Sequence, residues 1–249
     1  MNDEPCRYEY EVDLGDDSAA TYVTQMTGHG KRVLDVGCGP GSITKVLAGQ
    51  GQCIVTGLEL DQASIERVQA YCAEVIQADL NSSDWPHLLD GSAGFDVVVA
   101  ADVLEHLYDP WTALQLMVPL LAPGGSVVVS LPHAGHAAVA ACLVSGDFAY
   151  REYGLLDHTH IRFFCLKNIE ELFARAGLKI VEARYVMTSP EKTELAESWS
   201  QVPALLQAAL ESTPHAHVYQ VVVRAVPLDA PGEAVALEAP SSRPRRASK

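Results

Sequence analysis

Three glycines within five residues, Gly37-Cys38-Gly39-Pro40-Gly41, separate a strand pattern at 32–36 from a helix pattern at 42–48. A chain that runs from a strand through such a turn into a helix builds a β-α unit. With no side chains at the glycines, its backbone can approach a ligand closely. That site lies at the carboxyl end of the first strand, where open α/β sheets bind their ligands. The spacing is G-x-G-x-G rather than the G-x-G-x-x-G of dinucleotide loops. Asp35 stands just before the first glycine, and a carboxylate beside a helix N-terminus works against a pyrophosphate. The loop therefore suits a cationic or neutral ligand portion.

From residue 30 to 131, short β-branched runs alternate with helical periodicity, which predicts βαβ units and a parallel sheet. Strands are read at 32–36, 53–58, 74–77, 95–100 and 126–131, and helices at 42–48, 63–71 and 110–121. The runs VVVA and VVVS lack polar alternation, as strands covered on both faces do. Pro123-Gly124-Gly125 predicts a turn between helix and strand. Residues 133–165, rich in His, Gly and aromatic side chains, read as an insertion covering the substrate side. A helix at 166–176 stops at Gly177, and strands at 178–186 and 217–226 flank a helix at 202–211. The expected organisation is an N-terminal segment, 1–29, capping the site; one α/β domain, 30–226; and a disordered tail, 227–249, of Ala, Pro, Glu and Ser.

Charge narrows the partners. Lys+Arg 17 against Asp+Glu 32 leave a net charge of −15 on 249 residues, which repels phosphate backbones and argues against nucleic acid. Only the end, SSRPRRASK, is basic, and it reads as a solvated terminus. No apolar run is long enough to span a bilayer, and the first residues lack the pattern of a signal peptide, so a cytoplasmic protein is expected, monomeric or homodimeric. The six cysteines form no C-x-x-C pair and read as small buried hydrophobes.

Two further acids follow the strands. Glu59, closing the second strand in VTGLELD, can accept both hydroxyls of a ribose; its bland reading is a helix cap preceding Asp61. Asp79, after the third strand in QADLN, is placed to accept from an adenine amino group, with Leu80 packing on the ring. VLDVGCGPG, the acids in GLELD and ADL, FDVVVAADVLEHL and LLAPGGSVVVSLP together resemble, in order and spacing, the motifs of class I S-adenosylmethionine-dependent methyltransferases. The resemblance implies a Rossmann-like α/β fold: a seven-stranded, mostly parallel sheet with an antiparallel last strand, helices on both faces and a substrate-covering insertion after the fifth strand. It also implies that Asp35 and the glycine backbone face the methionine part, Glu59 the ribose and Asp79 the adenine. The cofactor site so implied comprises Asp35, Gly37, Cys38, Gly39, Gly41, Glu59, Leu60, Asp79, Leu80, Ala101 and Asp102. A narrower set, Tyr8-x-Tyr10-x-x-Asp13-Leu14, DVLEHLYDPW, FAYREYGLLDHTHIRFF and SPEKTEL, looks like a bacterial methyltransferase group linked to cell-surface polysaccharide or glycosyl chemistry. That group usually carries Asn where this chain has His133.

Methyl transfer to an alcohol needs the acceptor aligned and its proton removed, and histidine titrates near neutrality. Four imidazoles fall on loops at the carboxyl edge of the sheet: His106, His133, His158 and His160. His106, in Ala101-Asp102-Val103-Leu104-Glu105-His106, is a candidate base; its bland reading is packing beneath the cofactor. Asp102, Glu105 and His106 are the alternative, less favoured reading, a divalent-metal site resembling the E-x-x-E-H of ubiquinone-pathway O-methyltransferases with Asp102 in place of the first Glu. In Asp157-His158-Thr159-His160-x-Arg162, an extended backbone puts both imidazoles and the guanidinium on one side, where His160 is a base and Arg162 holds an anionic group, while Asp157, a further catalytic candidate, alternates away with Thr159. The bland reading is a hydrogen-bonded lid in which Asp157 caps a turn. Tyr8, Tyr10, Tyr150 and Tyr153 are candidates to line an acceptor site. The expected activity is O-methylation of a small-molecule or sugar-containing acceptor with S-adenosylmethionine, yielding S-adenosylhomocysteine. N- or C-methylation, or a silent cofactor-binding module, are the alternatives.

Overall fold

A computed structural model describes residues 8–89, 94–148 and 150–237. In chain order the elements are α1 (Ala19–Thr27), β1 (Arg32–Val36), α2 (Ser42–Ala48), β2 (Ile54–Glu59), α3 (Gln62–Val68), β3 (Glu74–Gln77), β4 (Phe95–Ala101), α4 (Pro110–Met117), β5 (Leu121–Pro132), α5 (Ala137–Ser145), α6 (Leu166–Arg175), β6 (Leu178–Met187), α7 (Ala196–Gln201), α8 (Ala204–Glu211) and β7 (Val218–Pro227). The seven strands form one sheet in the order β3-β2-β1-β4-β5-β7-β6. β1 to β5 pair in parallel, and β7 inserts antiparallel between β5 and β6. The expected fold is therefore present, with its antiparallel last strand.

Successive strand residues feed two cores. Leu34, Val36, Val98, Ala100, Val127 and Val129 face α4 and α6, meeting Leu114, Met117, Ile169, Leu172 and Phe173. Val33, Val55, Val97, Val99, Val128 and Val222 face the other way, onto Ala19, Val23 and Met26 of α1 and Leu47 of α2. Hence the apolar runs without alternation: both faces are covered.

Helix α1 was not expected within 1–29, and it packs on β4, β5 and β7 as part of the domain. Its sequence, AATYVTQMT, mixes good helix formers with three threonines, a valine and a tyrosine, which weaken the helical signal. The buried Thr24 and Thr27 hydroxyls donate to the carbonyls of Ala20 and Val23, which makes threonine tolerable there. Ser18 caps the first turn by accepting from the Thr21 N–H. Helix α5, within the insertion, is apolar on nearly every side and so carries no amphipathic period; the His136 ring caps it by accepting from the Ala138 N–H.

Three further expectations need correction. Pro123-Gly124-Gly125 is not a turn ahead of a strand but lies inside β5: Leu121 pairs with Phe95 and Ser126 with Val97, so the residues between bulge. The helix expected at 110–121 gives way at Val118 to a tight turn containing a second proline, Val118–Leu120. The tail is docked as far as residue 237. The Leu228 N–H donates to the Gly177 carbonyl, the Val235 N–H to Ile180, and the Leu237 side chain is buried in the α4–α6 core. Buried Leu237 and these backbone hydrogen bonds hold the segment, while Val235 is exposed; residues 238–249 lie outside the described part. No described helix is long and apolar enough to cross a membrane.

Candidate active site

The carboxyl ends of β1 to β4 open into a cavity of about 830 Å³, lined also by residues within 153–160 of the insertion and by Tyr8 and Tyr10. Backbone geometry at the glycine loop explains its composition. Gly37 and Gly41 have φ of 69° and 97°. A Cβ at Gly37 would fall 2.7 Å from Val103, and one at Gly41 2.8 Å from Val68. Gly41 thus serves the packing of α2 on α3 and does not line the cavity, unlike Gly37, Cys38 and Gly39.

Asp35 is buried beneath the loop and accepts the Thr44 hydroxyl at 2.6 Å. Burial lifts its pKa to about 6 against the pull of that hydrogen bond, and the Glu59 charge lifts it further. Glu59 is tied to three backbone donors: Gly39 N–H at 2.8 Å on Oε2, and Leu60 and Asp61 N–H at 2.8 and 2.9 Å on Oε1. The cap of α3 is Asp61, which accepts from the Ser64 N–H. Leu60, Asp79 and Leu80 line the next stretch of wall.

At the end of β4, Ala101 and Asp102 reach the cavity. Asp102 takes the left-handed conformation at φ 53° and accepts the Ser130 hydroxyl at 2.7 Å and the Gln220 amide at 3.0 Å. Ser130 and Gln220, on β5 and β7, are site residues that sequence reasoning missed, as is Tyr219, whose hydroxyl donates to Glu194. Burial raises the Asp102 pKa, opposed by these hydrogen bonds.

The chain then makes the tight turn Leu104–His106. The His106 ring lies 4.7 Å from that of His160 and edge-on to it. His106 Nδ1 contacts Thr159 Oγ1 at 3.0 Å and the Thr159 carbonyl at 3.3 Å. Burial and the neighbouring His160 lower the His106 pKa, while Asp157 pulls it back. His160 Nδ1 faces the Leu155 carbonyl at 3.4 Å and its Nε2 lies 3.9 Å from Glu105. Glu105 is 1% exposed, and neither carboxyl oxygen has a hydrogen-bond partner among the described residues. Burial, then the Asp102 charge, pushes its pKa well up. Glu105, His106 and His160 approach one another closely enough to chelate an ion. Asp102 does not belong to that trio, being committed to Ser130 and Gln220.

Residues 157–162 are not extended. Asp157 Oδ1 accepts the Thr159 N–H at 2.8 Å, and the His160 N–H donates to the Asp157 carbonyl, closing a turn. The side chains consequently scatter. His158 points outward to Glu152. Arg162 donates to the Tyr108 carbonyl and lies 5.6 Å over the Trp111 ring, away from the cavity. His133 is buried elsewhere: its Nδ1 donates to the Val218 carbonyl, its ring meets His215 at 5.8 Å, and burial takes its pKa to about 4. Of the proposed catalytic residues, only His106, His160 and Asp157 share the cavity. Tyr8, Tyr10 and Tyr153 line it too, whereas Tyr150 packs on Phe148 outside it.

The wall carries seven carboxyl groups and, among the described residues, no lysine or arginine. It fits a ligand with a sulfonium and an ammonium group and would repel a pyrophosphate. Together with the strand order and the glycine loop, this defines an S-adenosylmethionine-dependent methyltransferase of class I. A family model described as "Methyltransferase domain" matches residues 17–183, and the chain belongs to that family. It is 27% identical over 172 residues to a ubiquinone biosynthesis O-methyltransferase of Coxiella burnetii, covering 68% of this chain and 73% of the relative. A protein of the same name from Nitrosococcus oceani is 31% identical over 154 residues, covering 61% and 64%. A SAM-dependent methyltransferase from Archaeoglobus fulgidus shares the fold with a TM-score of 0.58 at 16% identity, covering 82% of this chain and 89% of that one. So does the cyclase SpnF, with a TM-score of 0.57 at 20% identity, covering 90% and 89%. The fold alone therefore does not dictate the reaction.

Proposed function

We propose that this methyltransferase transfers the methyl group to a hydroxyl oxygen of a small-molecule acceptor, sugar-bearing acceptors included, with His106 as general base. The observation that carries this reading is the placement of His106 on the cavity wall beyond the end of β4 with no hydrogen-bond partner for Nε2 among the described residues, whereas both nitrogens of His160 face protein groups. His133 and His158 lie outside the cavity. The name carried by the relatives supports oxygen as the methylated atom.

When bound, S-adenosylmethionine supplies an activated methyl group on a positively charged sulfur. Asp35 and the loop at Gly37 and Gly39 hold the methionine portion, Glu59 takes the ribose hydroxyls with the acceptor capacity left on its carboxylate, and Asp79 and Leu80 hold the adenine. Lowered pKa keeps His106 neutral near pH 7, so its ring can take the acceptor proton as the new bond forms. Tyr8, Tyr153 and Tyr219 offer aromatic faces to the acceptor, the hydroxyls of Tyr8 and Tyr219 being spent on Asp157 and Glu194. With Arg162 turned away and no lysine or arginine on the described wall, the reacting end of the acceptor is not anionic.

The test is formation of S-adenosylhomocysteine against a panel of phenols, sugars and their phosphorylated counterparts. His106→Gln should lower turnover about 100-fold or more while the calorimetric affinity for S-adenosylmethionine changes less than about twofold. A fully active His106→Gln protein would remove the assignment.

A further inference from the structure

We infer that Thr159, backed by Asp157, is a positioning residue that holds His106 in the tautomer protonated at Nδ1, leaving Nε2 bare. The inference rests on the reading of His106 as the base and adds what sets its orientation and protonation.

Thr159 Oγ1 lies 2.7 Å from Asp157 Oδ1 and 3.0 Å from His106 Nδ1, and the hydroxyl has one proton to give. Asp157 Oδ1 also accepts the Thr159 N–H at 2.8 Å, and Oδ2 accepts the Tyr8 hydroxyl at 3.0 Å. A carboxylate ringed by donors takes the threonine proton. The hydroxyl oxygen then presents only lone pairs to His106, so Nδ1 must be the donor. The Thr159 carbonyl, 3.3 Å from the same nitrogen, is an acceptor and imposes the same choice. A neutral imidazole with its proton on Nδ1 has its lone pair on Nε2.

This arrangement serves the transfer step. The acceptor proton passes to Nε2 as the oxygen–carbon bond forms and the carbon–sulfur bond breaks, its electron pair staying on sulfur. The imidazolium so formed keeps its Nδ1–H on Thr159, with the Asp157 charge behind the hydroxyl. Among the described residues the other ionisable groups around the ring are Asp102, which favours the charged form, His160, which opposes it, the buried carboxyl of Glu105, and the phenol of Tyr8 at 6.4 Å between rings. Tyr8 comes from the N-terminal segment, so the relay is complete only when that segment lies across the cavity.

The tautomer can be read without knowing the acceptor. In the full chain labelled with nitrogen-15 histidine and saturated with S-adenosylhomocysteine, long-range proton–nitrogen correlation distinguishes the two ring nitrogens, His106 being assigned by loss of its signals in His106→Gln. The expected result is Nδ1–H in the native protein and in Thr159→Ser, and a shift of the tautomer ratio by about tenfold toward Nε2–H in the nearly isosteric Thr159→Val, the size of one lost hydrogen bond. An Nε2–H tautomer in the native protein, or no shift in Thr159→Val, overturns the inference. Either outcome with S-adenosylhomocysteine bound leaves the methyltransferase reading standing, whereas loss of that binding in the native protein would strike the reading itself.

Discussion

The Thr44 hydroxyl donates to Asp35 at 2.6 Å, joining the first turn of α2 to the end of β1 directly beneath the glycine loop. One hydrogen bond does not offset the burial of that carboxylate, whose pKa stands at about 6. Below that value Asp35 is protonated and loses its attraction for a cationic ligand. Affinity for S-adenosylmethionine should therefore be flat above pH 7 and fall about tenfold per unit below pH 6, with proton release on binding near pH 6. Calorimetry from pH 5 to 8 checks this, and Asp35→Asn should bind weakly with no such slope. The same shift has a converse for stability. A raised carboxyl pKa favours the folded state below about pH 4, and that contribution is lost as pH rises through 6.

The buried histidines pull stability the other way. His133 and His136 are almost fully buried, and burial takes both from 6.5 to about 4. The unfolded chain binds their protons first, so their contribution is intact above pH 6.5 and disappears as pH falls toward 4, up to about 3 kcal/mol per imidazole. Urea unfolding midpoints should drop between pH 7 and pH 5, and His133→Asn, which keeps a side-chain donor but cannot titrate, should flatten that limb. An equally steep limb in the variant would assign the acid sensitivity elsewhere.

The cofactor end of this site was legible in the sequence because its signals are local: a glycine loop between strand and helix, and acids at successive strand ends. The acceptor end was not. Alternation placed His158, His160 and Arg162 on one side, but Asp157 accepts the Thr159 N–H and turns the backbone, sending each in a different direction. Gln220 reaches Asp102 across 118 residues, a contact that only the antiparallel placement of β7 creates. Helices α1 and α5 escaped for opposite reasons, one carrying threonines that bond back to their own helix, the other too uniformly apolar to show a face.

The trio Glu105, His106 and His160 makes metal dependence a sharp question. With His106 acting as a base and Glu105 pushed toward its neutral form, turnover should be unchanged by EDTA and by added magnesium or manganese. A rate that vanishes on chelation and returns with the ion would make these residues ligands, and the ion would then lower the pKa of a coordinated acceptor hydroxyl in place of a histidine base.

The N-terminal segment is held over the cavity from outside by two ion pairs, Glu9 with Arg67 and Glu11 with Lys45, and from inside by Tyr8 on Asp157 and the Tyr10 N–H on Ser42. Each exposed pair contributes modestly and is screened by salt. Tyr8 and Tyr10 line the cavity, so exchange of S-adenosylhomocysteine should respond to how firmly this segment is held. Stopped-flow displacement should show product dissociation accelerating with ionic strength. The double substitution Lys45→Glu, Arg67→Glu should raise the off-rate about two- to tenfold and abolish most of its salt dependence. Because both side chains project from helices on the outer surface of the loop, the on-rate and the melting temperature should change little. An off-rate indifferent to both salt and substitution would mean that the segment does not gate the site, and that the cofactor leaves by the acceptor side.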